Sequence, residues 1–385
     1  MDNTGNVDYT ERYRGSHTNF LRDAEKIVDA FYEFCHEAGP SRCAFYDSTP
    51  EAIKARLDKL LSHLRTSPVL IPSSLSDPAS NNSSLVGPEI PELVTYSKVK
   101  RMLATSLYQP IYRFKRVAQV LAALESGNGI PYYQYTTLNQ ITDSPPDDDD
   151  NNPPPRITPF CPLPNDDDTS PEDTADASPA IMCSDALSTR LNTTDGPSLS
   201  LPSIKAFLTL LESISPTIAS VQISLKLLCV GRTLTSPWRP FLHPHPFLAD
   251  PSQREKKIKT AYPILFIANK ADNITPLISA RNNSEIFEQS VVLVQDSYGH
   301  TSLAAGSGCT AGWVRRYFQR GELPEEGVVC PGDERPFFEA VGGLGVLGVE
   351  AEGDGGGNEK QEVVDGLTGA MRKLSREWRW TREFS

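Results

Sequence analysis

No run of about 18 apolar residues occurs in the 385-residue chain, so the sequence offers no candidate membrane-spanning helix. Residues 1 to 20 also lack an apolar core of signal-peptide type. No C-x-x-C pair is present, which argues against a zinc site, and the aspartate runs lack the spaced ligands and glycine turn of a calcium loop. Apolar residues make up 38% and aromatics 8%, low for a chain of this length but enough for a core. Positive charge is scarce: 37 Lys and Arg against 49 Asp and Glu leave a formal net charge of −12, which argues against nucleic acid as a partner. No cofactor and no metal is expected.

The polar excess is concentrated in one place. Ser144 to Pro179 contains Asp147 to Asp150, Pro153 to Pro155 and Asp166 to Asp168, with few large apolar residues. Such a segment buries too little surface to offset its ordering entropy, so residues 144–179 read as a disordered acidic insert. The net charge therefore describes a loop more than a binding face. His243-Pro244-His245 reads as an extended loop and not a metal pair, because prolines flank the second histidine.

Outside the insert the pattern is helical, then mixed. Ala24, Ile27, Val28, Phe31, Phe34, Cys35 and Ala38 recur at i, i+3, i+4, i+7 spacing until Gly39-Pro40 stops the helix. Thr49-Pro50 opens a second helix with Ile53, Leu57, Leu60, Leu61 and Leu64 on one face. Val99, Met102, Leu103 and Leu107 form a third stripe, and Phe114, Val117, Ala118, Leu121 and Leu124 a fourth that ends at Gly127. Such stripes are packing surfaces first.

Further on, Pro263 to Ala268 (PILFIA) and Val291 to Val294 (VVLV) are short apolar runs of strand type. The first leads into Asn269-Lys270-Ala271-Asp272-Asn273, then Thr275-Pro276, an expected N-cap and first helical position, with Leu277, Ala280 and Phe287 at helical spacing. The second leads into Gln295-Asp296-Ser297-Tyr298-Gly299-His300 and a last helix with Val314, Tyr317 and Phe318 on one face, stopping at Gly321. Two parallel strands then place a carboxylate and an imidazole at the same sheet edge, where ligands of open α/β sheets gather. In the chain order Ser…Asp…His of a nucleophilic triad, Asp272 holds the imidazole tautomer and His300 takes the nucleophile's proton. The competing reading gives Asp272 only to the amino end of the following helix.

PILFIANKADNITPLISARN and VVLVQDSYGHTSLAAGSGCTAGWVRRYFQRGELPEEGVVC resemble the C-terminal domain of the tripeptidyl-aminopeptidase-like α/β-hydrolases, a family of serine exopeptidases and related hydrolases. Phe31 to Val69, Thr95 to Gly129 and AIMCSDA (Ala180 to Ala186) resemble that family's helical cap. The resemblance covers most of residues 9 to 330 apart from the insert, although Val230-Gly231-Arg232 stands where the family usually has Gly-Trp after a cysteine. It implies an α/β fold, with a helical cap over 1–255 and a C-terminal α/β-hydrolase segment over 256–338; beyond the resemblance, composition reads 339–385 as a glycine-rich linker with a short amphipathic tail. The resemblance implies Asp272 and His300 as acid and base, a peptide or small ester or amide as substrate, and a secreted setting.

The family's nucleophile sits in a G-x-S-x-G elbow, and no such pentapeptide occurs in the 385 residues. Gly306-Ser307-Gly308-Cys309 is the nearest glycine-rich serine, but it follows the histidine and no strand leads into it. The GNVDYTERY stretch near Met1 resembles the end of the core strand that precedes the cap, so the expectation is a chain lacking the N-terminal half, without turnover as given. A non-catalytic pseudo-hydrolase, serving as a binding or regulatory module, is the alternative. Of seven cysteines, Cys35 and Cys43 flank a Gly-Pro turn and Cys183 and Cys229 bracket a long cap segment. Cys309 and Cys330 match a family pair around the last helix, and Cys161 is left over. Three bridges suit a secreted protein, as do sequons at Asn81, Asn82, Asn192, Asn273 and Asn282.

Overall fold

A computed structural model describes residues 2–14, 18–73, 87–141, 177–185, 201–229 and 257–338. Most of the acidic insert, Cys161, the sequons at Asn81, Asn82 and Asn192, Val230-Gly231-Arg232, His243-Pro244-His245 and the tail over 339–385 lie outside the described residues.

The helical part of the chain, termed the cap, is built from the expected stripes. Helices α2 (Ala24–Ala38), α3 (Pro50–Thr66), α4 (Tyr96–Ser106) and α5 (Pro110–Glu125) follow strand β1 (Asp2–Thr4) and the short helix α1 (Tyr9–Arg14). Their apolar faces close on one cluster that includes Ile27, Phe31, Ile53, Leu57, Val99, Phe114, Val117 and Leu121. Phe31 meets Phe114 edge-on with centroids 5.1 Å apart. Each such side chain contributes roughly 1.5–3 kcal/mol through the apolar surface it removes from water. The helix starts are chemically specified: Thr49 Oγ1 accepts the Ala52 N–H at 3.1 Å, and Thr95 Oγ1 accepts that of Lys98 at 3.3 Å. Between α3 and α4 a small antiparallel pair forms from β2 (Val69–Ile71) and β3 (Glu92–Val94). Helices α6 (Ile130–Ile141), α7 (Ala177–Asp185), α8 (Leu201–Ile214) and α9 (Ala219–Leu227) complete the cap. Helix α7 begins at Ala177, within the stretch expected to be loop; Pro179 falls in its first turn, where a missing N–H is tolerated.

The sheet is parallel throughout, in the order β1-β4-β5-β6, with β4 at Leu265–Ala271, β5 at Val291–Tyr298 and β6 at Val329–Pro331. Helix α10 (Leu277–Ser284) links β4 to β5, and α11 (Gly308–Arg320) links β5 to β6. Alternate residues of β4 face opposite ways. Phe266 and Ala268 pack on Ala280 of α10, while Leu265 and Ile267 pack with Leu293 and with Tyr317 of α11. Helices therefore cover both faces, as a parallel sheet requires.

Four expectations need correction. Both strands run further than their apolar runs, because Asn269, Gln295 and Ser297 are buried and continue the ladder, with Asn269 registered against Gln295. Phe287 lies beyond the end of α10, and Phe318 is 65% exposed while its neighbour Tyr317 is buried, since only one flank of α11 meets the sheet. Helix α10 is not capped by Thr275. Pro276 holds the N-cap position, and Asp23, just before α2, accepts the Leu277 N–H at 3.1 Å. That bond ties cap to sheet. Asn283 reinforces it by donating to the Val7 carbonyl and accepting the Tyr9 N–H, and Asn282 donates to Asp8 Oδ2.

The three cysteine pairs are bridged: Cys35–Cys43, Cys183–Cys229 and Cys309–Cys330, with Cα atoms 5.3, 5.3 and 5.4 Å apart. The last joins α11 to β6. The chain after β6 then returns to the cap, where Phe337 packs beside Phe31 and Phe114.

Candidate acid–base site

β4 ends at Ala271, and the next residue, Asp272, is 1% exposed. A carboxylate so deeply buried must be fully hydrogen-bonded to remain charged. Its Oδ1 accepts the N–H groups of Ile274 and Thr275 at 2.9 and 2.8 Å. Its Oδ2 accepts the Thr275 hydroxyl at 2.7 Å and the Thr301 N–H at 2.8 Å. His300 Nδ1 stands 3.1 and 3.0 Å from the two oxygens. Burial pushes the carboxyl pKa up, but the imidazolium of His300, its hydrogen bond and the amides of Thr301 and Thr275 outweigh that and hold it below the ordinary aspartate value. Asp272 thus serves both readings: it orders the turn leading into α10 and it engages the imidazole.

An ionised carboxylate can only accept, so Nδ1 is the donor and the neutral imidazole carries its lone pair on Nε2. The Thr275 hydroxyl, already donating to Asp272, lies 3.1 Å from the same Nδ1 and adds a third oxygen there. Nε2 is the atom a base uses.

The loop that carries His300 is fixed at every amide. Gly299 donates to the Ala271 carbonyl at 3.0 Å, His300 to the Tyr108 carbonyl at 2.9 Å and Thr301 to Asp272. Tyr108 belongs to the turn between α4 and α5, and its ring meets the imidazole edge-on at 5.4 Å between centroids. Gly299 has φ +113°, and a Cβ there would sit 2.6 Å from Pro110 Cδ and 2.9 Å from the Tyr108 carbonyl, so only glycine lets the cap turn approach this closely. Thr301 takes φ +62° and ψ +167°, a region that costs a non-glycine residue about 1–3 kcal/mol and persists only when its surroundings impose it. From the other side, the loop after β1 reaches the ring: a Cβ on Gly5 would lie 3.7 Å from His300 Cε1.

Sequence reasoning singled out Asp272 and His300, and the structure brings them together. It missed Thr275 as a third partner of the imidazole, Tyr108 as a neighbour from the cap, and the buried polar trio Asn269, Gln295 and Ser297 beneath the loop. A signal for part of the trio existed: Leu293, Gln295 and Ser297 continue the period of two, so polar residues extend the buried face of β5. Ser307 is a helix cap, its hydroxyl donating to the Pro331 carbonyl at 2.7 Å and accepting the Thr310 N–H at 3.2 Å. Of the two sequons within the described residues, Asn273 is buried and the Asn282 amide is engaged by Asp8.

A parallel sheet with a carboxylate after one strand, an imidazole after the next and crossover helices on both faces is part of an α/β-hydrolase fold. Residues 217–330, from just before α9 into β6, match the family model described as TAP-like protein, which supports a TAP-like α/β-hydrolase C-terminal domain over that region. Asp272, His300, Cys309 and Cys330 all lie inside it. No curated protein matches the chain. Among the described residues no helix is long and apolar enough to cross a membrane. The three disulfides are compatible with an extracellular protein.

Proposed function

We propose that Asp272 and His300 are the acid and base of an extracellular serine-hydrolase site of tripeptidyl-aminopeptidase type, acting on peptides or small esters and amides. The observation that carries this reading is the buried Asp272 carboxylate against His300 Nδ1 at 3.0 Å, with the Thr275 hydroxyl completing the contact. In this mechanism Nε2 accepts the proton of a serine hydroxyl as that oxygen attacks the acyl carbonyl, and then returns it to the leaving amine. Asp272 keeps its charge and stabilises the imidazolium without taking the proton itself. The helical region up to residue 255 acts as a lid that limits which substrates reach the strand ends, 256–338 carries the acid–base pair, and 339–385 is an appended linker and tail.

None of the 385 residues stands in a G-x-S-x-G elbow, so on this reading the serine comes from polypeptide outside the given sequence. Loss of the serine from such a triad costs on the order of a millionfold in kcat. The 385-residue chain is expected to show no labelling by a fluorophosphonate probe and no turnover of tripeptidyl chromogenic substrates. Extended by any coding sequence upstream of Met1 that supplies an elbow, it is expected to label at that serine and to lose activity on His300→Ala or Asp272→Asn. Stoichiometric labelling of the 385-residue chain at Ser302 or Ser307 would overturn the assignment. An elbow-bearing form whose activity survives His300→Ala would overturn it too.

A further inference from the structure

Beneath the histidine loop lies a chain of buried side chains whose hydrogen bonds all run in one direction. Gln295 Nε2 donates to the Ser297 hydroxyl at 2.9 Å, and that hydroxyl donates to Asn269 Oδ1 at 2.9 Å. Asn269 Nδ2 then donates to the Gly299 carbonyl at 2.7 Å and to the Thr301 carbonyl at 2.6 Å, the peptide carbonyls on either side of His300. Gln295 Nε2 also lies 3.2 and 3.1 Å from the carbonyls of Ser302 and Ala305, further along the same loop. Asn269 and Gln295 are wholly buried and Ser297 nearly so.

A primary amide has two N–H bonds in one plane, and Asn269 uses both to hold two carbonyls separated by a single residue. The reversed orientation would point its oxygen at both carbonyls, so the two carbonyls fix which way the amide faces, and the Ser297 hydroxyl, donating to Oδ1, holds the remaining oxygen in place. In an apolar interior the Gly299 carbonyl is costly to leave without its donor, and the Thr301 carbonyl, which also accepts the Ala304 N–H at 3.0 Å, would lose one of its two; the strained Thr301 conformation and the Asn269 amide therefore support one another.

We infer that Asn269 is the positioning residue of the base: by clamping the carbonyls that flank His300 it holds Thr301 at positive φ and keeps Nδ1 on the Asp272 carboxylate. Ser297 acts through Asn269 by fixing its amide. The proposal rests on the reading of His300 as base for its catalytic meaning, but the clamp can be tested on the 385-residue chain alone.

Two readouts serve: amide hydrogen exchange at residues 299–301, and the Nδ1 proton resonance of His300, identified among six histidines by selective ¹⁵N labelling. Asn269→Ala is expected to speed exchange at His300 and Thr301 by about tenfold or more, as befits the loss of two buried hydrogen bonds, with α2 and α5 of the cap unchanged. It is also expected to abolish the slowly exchanging Nδ1 proton signal, a change that loss of packing alone would not produce. Asn269→Asp, nearly the same shape but presenting oxygen to both carbonyls, is expected to do at least as much harm. Ser297→Ala keeps both N–H donors and removes only the hydroxyl that holds the amide oxygen, so its effect should be smaller and of the same kind; it also decides the matter if Asn269→Ala fails to fold. The clamp is refuted if exchange at 299–301 and the Nδ1 signal both survive Asn269→Ala, or Ser297→Ala where the first variant does not fold. Equal acceleration at 299–301 and in the cap would refute it as well, since Asn269 would then support only general stability. Absence of the Nδ1 signal in the unmodified chain would count against the acid–base reading, and exchange at 299–301 would still decide the clamp.

Discussion

The helical cap and the strand-end site are equally buried, and they are held by opposite means. In the cap, Phe31, Leu57, Phe114, Val117 and Leu121 present hydrocarbon to hydrocarbon, and almost any arrangement that excludes water gains most of the available energy. At the strand ends, Asn269, Asp272, Ser297 and His300 are packed just as deeply, but each must meet a partner of the right polarity at the right distance. The first kind of interior supplies stability and tolerates adjustment. The second stabilises less per residue and fixes geometry.

The largest effect that separates them is expected in the cap. Phe114→Ala removes a fully buried ring in contact with Phe31 and Phe337, and is expected to cost about 3–5 kcal/mol in denaturant unfolding. Next come the crosslinks, which act mainly on the unfolded chain. Paired Cys→Ala replacement is expected to cost about 4 kcal/mol for Cys183–Cys229, about 3 for Cys309–Cys330 and about 2.5 for Cys35–Cys43, following their separations of 46, 21 and 8 residues.

Asp272→Asn should fall below these, at about 2 kcal/mol near neutral pH, because charge-assisted acceptance from His300, Thr275 and Thr301 is lost while an amide fills the space. Its pH dependence has a definite sign. The folded-state pKa of Asp272 lies below its unfolded value, so its contribution is fully present above the unfolded aspartate value and is lost as pH falls through the depressed folded value. The gap between wild type and Asp272→Asn in unfolding free energy is therefore expected to narrow on acidification below about pH 4. No such narrowing is expected for Phe114→Ala, and a parallel narrowing there would erase the distinction between the two interiors. The smallest effect is expected at the exposed Arg335–Glu37 pair, where Arg335→Gln should cost less than about 1 kcal/mol and less still at high salt.

The same contrast explains what could be read from the sequence. The four cap helices were legible because apolar periodicity records a face that needs only to be greasy, and Thr49, Gly39 and Gly127 mark helix ends by their own local chemistry. Asp272 and His300 were legible as polar residues closing two strand-like runs. Asn269 was not, since a polar residue after an apolar run looks like the start of a loop and its partners lie 28 to 32 residues away, while Gln295 and Ser297 were marked only by the period of two that runs on from Leu293. The Tyr108 contact and the capping of α10 by Asp23 were hidden for a similar reason: each needs the cap docked on the sheet before the two residues meet. Phe318 misled because helical spacing identifies a stripe without saying how wide a strip its neighbour covers.

If Asp272 sets His300 up as a base, the side-chain ¹⁵N spectrum of His300 in the 385-residue chain reports it. At a pH where the imidazole is neutral, Nδ1 is expected to carry the proton and Nε2 to be unprotonated, with that preference lost in Asp272→Asn. A neutral His300 with its proton on Nε2, or a tautomer indifferent to Asp272→Asn, would contradict it.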